Sequence, residues 1–200
     1  MVRSIRGSVL SIMALKIIND FQECKKSSQM KLPICNFDAK NSVLCPQCEK
    51  KVESKIIERS DVDASIKLAQ LSKSNQIIDK FTLHSCKEFD GNFVLYLSKN
   101  DIMAIRQSRV LYRLLQNQFQ GKMWLAEAEE NDKKFIADLF FPTKILSINS
   151  VWAPGEGQKT KAVVSGKWTN KFPIDTNKVI QIVKNARNLD MEIDFEEKRT

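Results

Sequence analysis

Three of the five cysteines in this 200-residue chain fall within one short stretch, CNFDAKNSVLCPQC, residues 35 to 48. Cys45 and Cys48 form a Cys-Pro-Gln-Cys knuckle, and Cys35 stands three residues before Asp38, where a second knuckle would carry its second cysteine. A Cys-x-x-Cys turn brings two sulfurs onto one ion, and structural zinc takes four such ligands in a tetrahedron, with carboxylate oxygen an accepted substitute. The first ligand set is therefore Cys35, Asp38, Cys45 and Cys48. Cys24, His84 and Cys86 compete for the fourth position, and the plain alternative is that the thiols are small buried apolar groups. A metal here would be structural. A catalytic zinc keeps an open position and a base beside it, whereas this chain has one histidine and no His-Glu-x-x-His pattern.

The charge points to a second kind of chemistry. Thirty-two Lys and Arg against 24 Asp and Glu give a formal net charge of +8. Such a balance favours a polyanionic partner, most often nucleic acid. Arg106, Arg109 and Arg113 follow at i, i+3 and i+7, the spacing of one helix face. Lys159, Lys161, Lys167, Lys171, Lys178, Lys184 and Arg187 crowd the C-terminal third, where Glu156 and Asp175 are the acids in view. Trp168 and Phe172 lie among these lysines, placed to stack on unpaired bases. Trp124 and Trp152, on strand-like segments, read as core. No Ser/His/Asp set, phosphate loop or dinucleotide-binding glycine pattern is present, so the chain reads as a non-enzyme. Five unevenly spaced cysteines argue against a disulfide framework and for a reducing, cytoplasmic setting. No apolar run is long enough to span a membrane.

The elements that must position these residues follow from periodicity and punctuation. Residues 1–29 read as an N-terminal extension, poorly ordered or a short helix, and residues 30–59 as the knuckle segment. A helix opens at Ser60 as cap, with Asp61 and Asp63 in its first turn. KFTLHSC and NFVLYLS form a hairpin turned by Asp90-Gly91, with Phe93, Leu95 and Leu97 on one face and Val94 and Tyr96 on the other. DIMAIRQSRVLYRLLQNQF is helical, with Ile105, Val110, Leu111, Leu114 and Leu115 at helical spacing, and KMWLAEAE is a strand. The order then repeats: a helix capped by Asn131 and closed before Pro142, strands ILSINSVWAP and KAVVSGKW, a helix capped by Asp175 or Thr176, and the strand MEIDFE. Residues 60–129 and 130–197 are thus two copies of one α+β unit.

This order resembles the type-II KH domain. Two such units in tandem are similar to the KH module of archaeal NusA-like transcription elongation factors, and PICNFDAKNSVLCPQCEKKVES resembles the zinc-binding start of an archaeal KH protein. The resemblance implies an α+β fold of two degenerate type-II KH-like units preceded by a small zinc-ribbon-like knuckle. It also implies structural zinc, with Asp38 in the family's fourth ligand position. Its implied function is binding of single-stranded RNA, such as a nascent transcript beside RNA polymerase. Arg106, Arg109, Arg113, Lys159, Lys161, Lys167, Trp168, Lys171 and Lys178 are the expected RNA contacts. A KH unit normally carries a Gly-x-x-Gly loop that lets phosphates approach the backbone. The first copy has Ala104 to Arg109 there, without glycine, and the second has a single Gly166. The rival function is an adaptor whose KH-like scaffold binds RNA polymerase or the ribosome and not RNA.

Overall fold

The computed structural model of the chain describes residues 30–120, 123–128, 131–153, 157–166 and 174–196. The expectations for residues 1–29, Cys24, Lys167, Trp168, Lys171 and Phe172 lie outside the described residues. The chain is mixed α+β, divides into two compact units, Met1–Thr82 and Leu83–Thr200, and carries two separate three-stranded sheets.

The first unit holds helices α1 (Asn36–Asn41), α2 (Pro46–Glu53) and α3 (Arg59–Ser72) and a 3-10 turn at Ile78–Lys80. The helix expected to open the first repeat is α3, and it falls in this unit together with the knuckle. Glu58, not Ser60, is its cap. The Glu58 amide donates to Asp61 Oδ2 at 2.7 Å, and the Glu58 side chain accepts from the Asp61 amide. This reciprocal box satisfies two end groups at once, which a serine at position 60 would not do. Beneath the knuckle, Ile34, Ala39, Cys48, Ile57, Val62 and Ala69 form a small buried cluster. Met30, Ala64, Leu68, Ile78 and Phe81 are also buried in this unit.

The second unit is built twice on one plan. Strands β1 (Leu83–Phe89) and β2 (Asn92–Leu97) form the expected hairpin. Asp90 and Gly91, with φ of 49° and 72°, make its two-residue turn. Both residues sit in the left-handed region, whose twist matches that of paired strands. Strand β3 (Met123–Glu127) then runs parallel to β2. A parallel neighbour needs a crossover, supplied by α4 (Lys99–Gln107) and α5 (Arg109–Gln118). After α6 (Asp132–Leu139), strands β4 (Ile145–Ala153) and β5 (Gly157–Ser165) pair antiparallel. Helix α7 (Thr176–Arg187) leads to β6 (Met191–Glu196), parallel to β5. Asn131 caps α6 and Asp175 caps α7, each accepting a backbone N–H three residues on. The alternation read along β2 holds, but both of its faces are covered: Val94 joins a buried cluster with Ala126, Phe135, Ile136, Val164 and Val183, while Leu95 and Leu97 are buried on the other side.

Three further expectations are corrected. The helical stretch after β2 is two helices broken at Ser108, whose backbone is extended (φ −102°, ψ 100°) and whose hydroxyl accepts from the Leu111 amide at 3.3 Å. Val110, expected on the apolar face, is exposed, because the new helix turns Leu111 and Leu115 inward. Trp152 is 76% exposed. It pairs with Gln158 toward the turn end of the β4–β5 hairpin, beyond the Ile148–Ala162 pair that meets the core. Trp124 does pack against that core.

One carboxylate organises the middle of this unit. The Asp138 side chain is 3% exposed. It accepts from Arg106 Nη1 at 3.1 Å, from Lys134 Nζ at 3.4 Å and, through Oδ2, from the Glu127 amide at 3.1 Å. Burial works against the Lys134 ammonium, but Asp138 and Glu127 outweigh it and raise its pKa. Removing one partner of a buried pair strands the other's charge, whereas replacing both by apolar groups does not. Asp138→Ala should therefore cost about 3 kcal/mol in urea denaturation. The double variant Arg106→Met/Asp138→Leu should lose clearly less; an equal or larger loss would contradict this role.

Candidate metal centre and basic surface

The knuckle is made by two short helices with the same layout. Cys35 is the N-cap of α1 and Asp38 lies in its first turn; Cys45 is the N-cap of α2 and Cys48 lies in its first turn, after Pro46. Proline suits a helix's first position because its missing N–H has no partner to lose there. Cap and first-turn side chains three residues apart converge over the same helix end.

The two ends face each other through crossed hydrogen bonds. The Cys45 amide donates to Asp38 Oδ2 at 2.9 Å, and the Cys35 amide donates to Cys48 Sγ at 3.4 Å. Each helix cap thus binds the other helix's first-turn ligand. One ligand atom from each of Cys35, Asp38, Cys45 and Cys48 lies within 4.8 Å of the other three. Zn–S bonds of about 2.3 Å in a tetrahedron separate the sulfurs by about 3.8 Å, so the four side chains are close enough to hold one metal ion. His84 and Cys86 do not belong to this group: His84 Nε2 lies 3.2 Å from Ser98 Oγ, and Cys86 is buried on β1.

The electrostatics fit an ion as well. Asp38 is fully buried, yet its Oδ1 has no hydrogen-bond partner. An unpaired buried carboxylate oxygen is costly and is the kind of atom a cation would take up. Burial pushes the Asp38 carboxyl up, but the Cys45 amide and the surrounding S–H groups outweigh it and hold the pKa below its ordinary value. Burial, with Asp38 beside them, raises the thiols: Cys48 to about 11, and Cys35 higher still. Without metal the Asp38 carboxylate therefore lies beside protonated Cys35 and Cys48 thiols.

The basic residues are placed less simply than their spacing suggests. Arg106 is on α4, and Arg109 and Arg113 are on α5, so the three do not share one helix face. Arg106 turns inward, with Nη2 on the Asp138 carbonyl at 3.2 Å and its guanidinium 4.4 Å from the Phe141 ring centre. Arg109 and Arg113 are exposed and in no ion pair among the described residues. The C-terminal lysines meet acids, two of which, Glu192 and Asp194, lie more than thirty residues away in sequence. Lys159 pairs with Glu192 at 2.8 Å, Lys161 with Asp194 at 2.7 Å, Lys184 with Asp190 at 2.6 Å and Lys178 with Asp175 at 3.7 Å. Strand β6 brings Glu192 and Asp194 beside β5, an arrangement set by sheet order and not by local sequence. Such exposed pairs are weak and salt-screened.

Two measurements follow from the metal geometry. Asp38→Ala should weaken metal binding at least about 100-fold in competition with a chromophoric chelator, and Asp38→Cys should tighten it. Unchanged affinity in Asp38→Ala would remove Asp38 from the ligand set. The pH dependence should differ in sign with and without metal. In the metal-free chain the folded Cys48 pKa is raised from 9.0 to about 11. Its contribution is complete below about pH 9 and is lost as pH rises toward 11. With metal bound the ligands are thiolates, and stability falls on acidification instead. Parallel profiles with and without chelator would contradict the site.

No family model matches the chain, and no curated protein matches it. Among solved structures, the crystal structure of APE1850 is similar at 16% identity with a TM-score of 0.38, covering 65% of this chain and 95% of that one.

Proposed function

We propose that this chain is a non-enzymatic RNA-binding protein that grips single-stranded RNA through its phosphates, with a structural zinc ion clipping its N-terminal segment. The observation that carries the reading is the exposed pair Arg109 and Arg113. They lie one turn apart on α5, outside any ion pair among the described residues, in a chain of net charge +8. They follow directly on the Ser108 break between two helices, the place where a type-II KH unit meets the nucleic-acid backbone. The doubled plan of an antiparallel pair, a helical crossover and a parallel strand supports two degenerate KH-like units. The similarity to archaeal NusA-like elongation factors then suggests a nascent transcript near RNA polymerase as the setting. Zinc is the metal of choice because three thiolates and one carboxylate suit a tetrahedral, redox-silent ion.

The adaptor reading has its own support. Four C-terminal lysines are engaged by acids, and Phe37, Val43 and Ile56 are exposed on the first unit. Salt dependence separates the two readings. Phosphate contacts make log affinity fall linearly with log salt, by roughly 0.7 per contact for single strands. Fluorescence anisotropy with a labelled single-stranded RNA should give a slope of about 1.5 to 3. Arg109→Ala/Arg113→Ala should lower that slope by about 1.4 and weaken binding throughout. Absence of RNA binding at low salt, with tight capture of RNA polymerase or ribosomes, would overturn this reading in favour of the adaptor.

A further inference from the structure

We propose that the cavity beside α5 receives one unpaired RNA base while Arg109 and Arg113 hold the phosphates that flank it. The inference rests on the RNA-binding reading above and adds a base subsite to it.

The helix itself suggests the pairing. Arg109, Tyr112, Arg113 and Gln116 follow at i, i+3, i+4 and i+7 and so form one stripe, with Leu111 and Leu115 buried on the other side. The arginines are exposed, whereas Tyr112 and Gln116 line a cavity of about 280 Å³. Gln116 Nε2 donates to Tyr112 Oη at 2.9 Å, which fixes both side chains against its wall. Trp124, Phe141 and Asn92 complete the part that matters here. Four residues of helix advance about 6 Å, the separation of successive phosphates in an extended strand.

Size and charge decide what fits. The space is just under the 300 Å³ or so at which sites for drug-sized ligands begin, so it suits one flat ring system and not a whole nucleotide. Its charges are already cancelled. Arg106 is held by Asp138, and Lys178 lies 3.7 Å from Asp175. An anion gains little inside, while a neutral planar group gains aromatic surface from Tyr112, Trp124 and Phe141. It also gains amide partners. Asn92 Nδ2 is taken by the Phe89 and Asp90 carbonyls, which leaves its amide oxygen as an acceptor. Gln116 likewise uses its nitrogen on Tyr112 and keeps its oxygen. Stacking with a few such hydrogen bonds is how single-stranded bases are held. No glycine is needed, because side chains and not the backbone meet the strand.

The test compares a short single-stranded RNA with an abasic strand of the same length and charge, by fluorescence anisotropy on the full chain. The wild type should bind the base-bearing strand roughly tenfold tighter. Tyr112→Ala should erase that preference and leave affinity for the abasic strand unchanged. Arg109→Ala/Arg113→Ala should weaken both strands alike. Thermal unfolding checks each variant, and Gln116→Leu, which keeps helix and bulk, carries the test if Tyr112→Ala does not fold. Equal affinity for the two strands, or a base preference that survives both pocket variants, would overturn the subsite and leave the RNA-binding reading standing. Failure to bind either strand would overturn both.

Discussion

The first unit depends on a pair of crossed hydrogen bonds. The amide of Cys35 reaches Cys48 and the amide of Cys45 reaches Asp38, so each short helix closes its end on the other's ligand. A helix of six residues and one of eight have little stability alone. What holds them is the convergence of three sulfurs and a carboxylate, with a small apolar cluster beneath. Binding free energy at such a site is folding free energy. A metal held there would tie the two short helices together.

Two buried aspartates show why the metal reading is specific. Asp138 is nearly as buried as Asp38, but a guanidinium, an ammonium and a backbone amide satisfy both of its oxygens. It needs nothing further, and it spends Arg106 on internal structure. Among the described residues, Asp38 has one oxygen on the Cys45 amide and otherwise only the thiols of Cys35, Cys45 and Cys48 around it, with no cationic side chain and no second N–H. The same side chain has cationic partners in one place, although Arg106 keeps a buried Nε without a partner, and none in the other. That contrast also sorts the arginines: Arg106, beside Asp138, is tied into internal structure, whereas Arg109 and Arg113, beyond Ser108, are exposed.

Legibility in the sequence followed the range of the interactions. The hairpin turn at Asp90-Gly91, the cap Asn131, the cap at Asp175 or Thr176 and the convergence of Cys35, Asp38, Cys45 and Cys48 rest on local spacing, which made them readable. The doubled order of elements was readable for the same reason. The same short range did not protect the cap of α3, read as Ser60 and found to be Glu58. The break at Ser108 does not show in the apolar spacing, which runs through it; the KH resemblance put a loop at Ala104 to Arg109, and a serine ahead of a new helical turn is a usable cap signal. Arg106 was taken with its neighbours because Asp138 lies 32 residues away. The lysine pairings were hidden because β6 supplies the acids only once the sheet has formed. Trp152 was assigned to the core by its strand, whereas its exposure depends on where the core ends along that strand.

The most direct test of the account is X-ray absorption at the zinc edge on the full chain loaded with one equivalent of zinc. The account predicts a shell of three sulfurs at about 2.3 Å and one oxygen at about 2.0 to 2.2 Å, with the oxygen replaced by sulfur in Asp38→Cys. A four-sulfur shell in the unaltered chain, a nitrogen in place of the oxygen, or failure to retain zinc would contradict it.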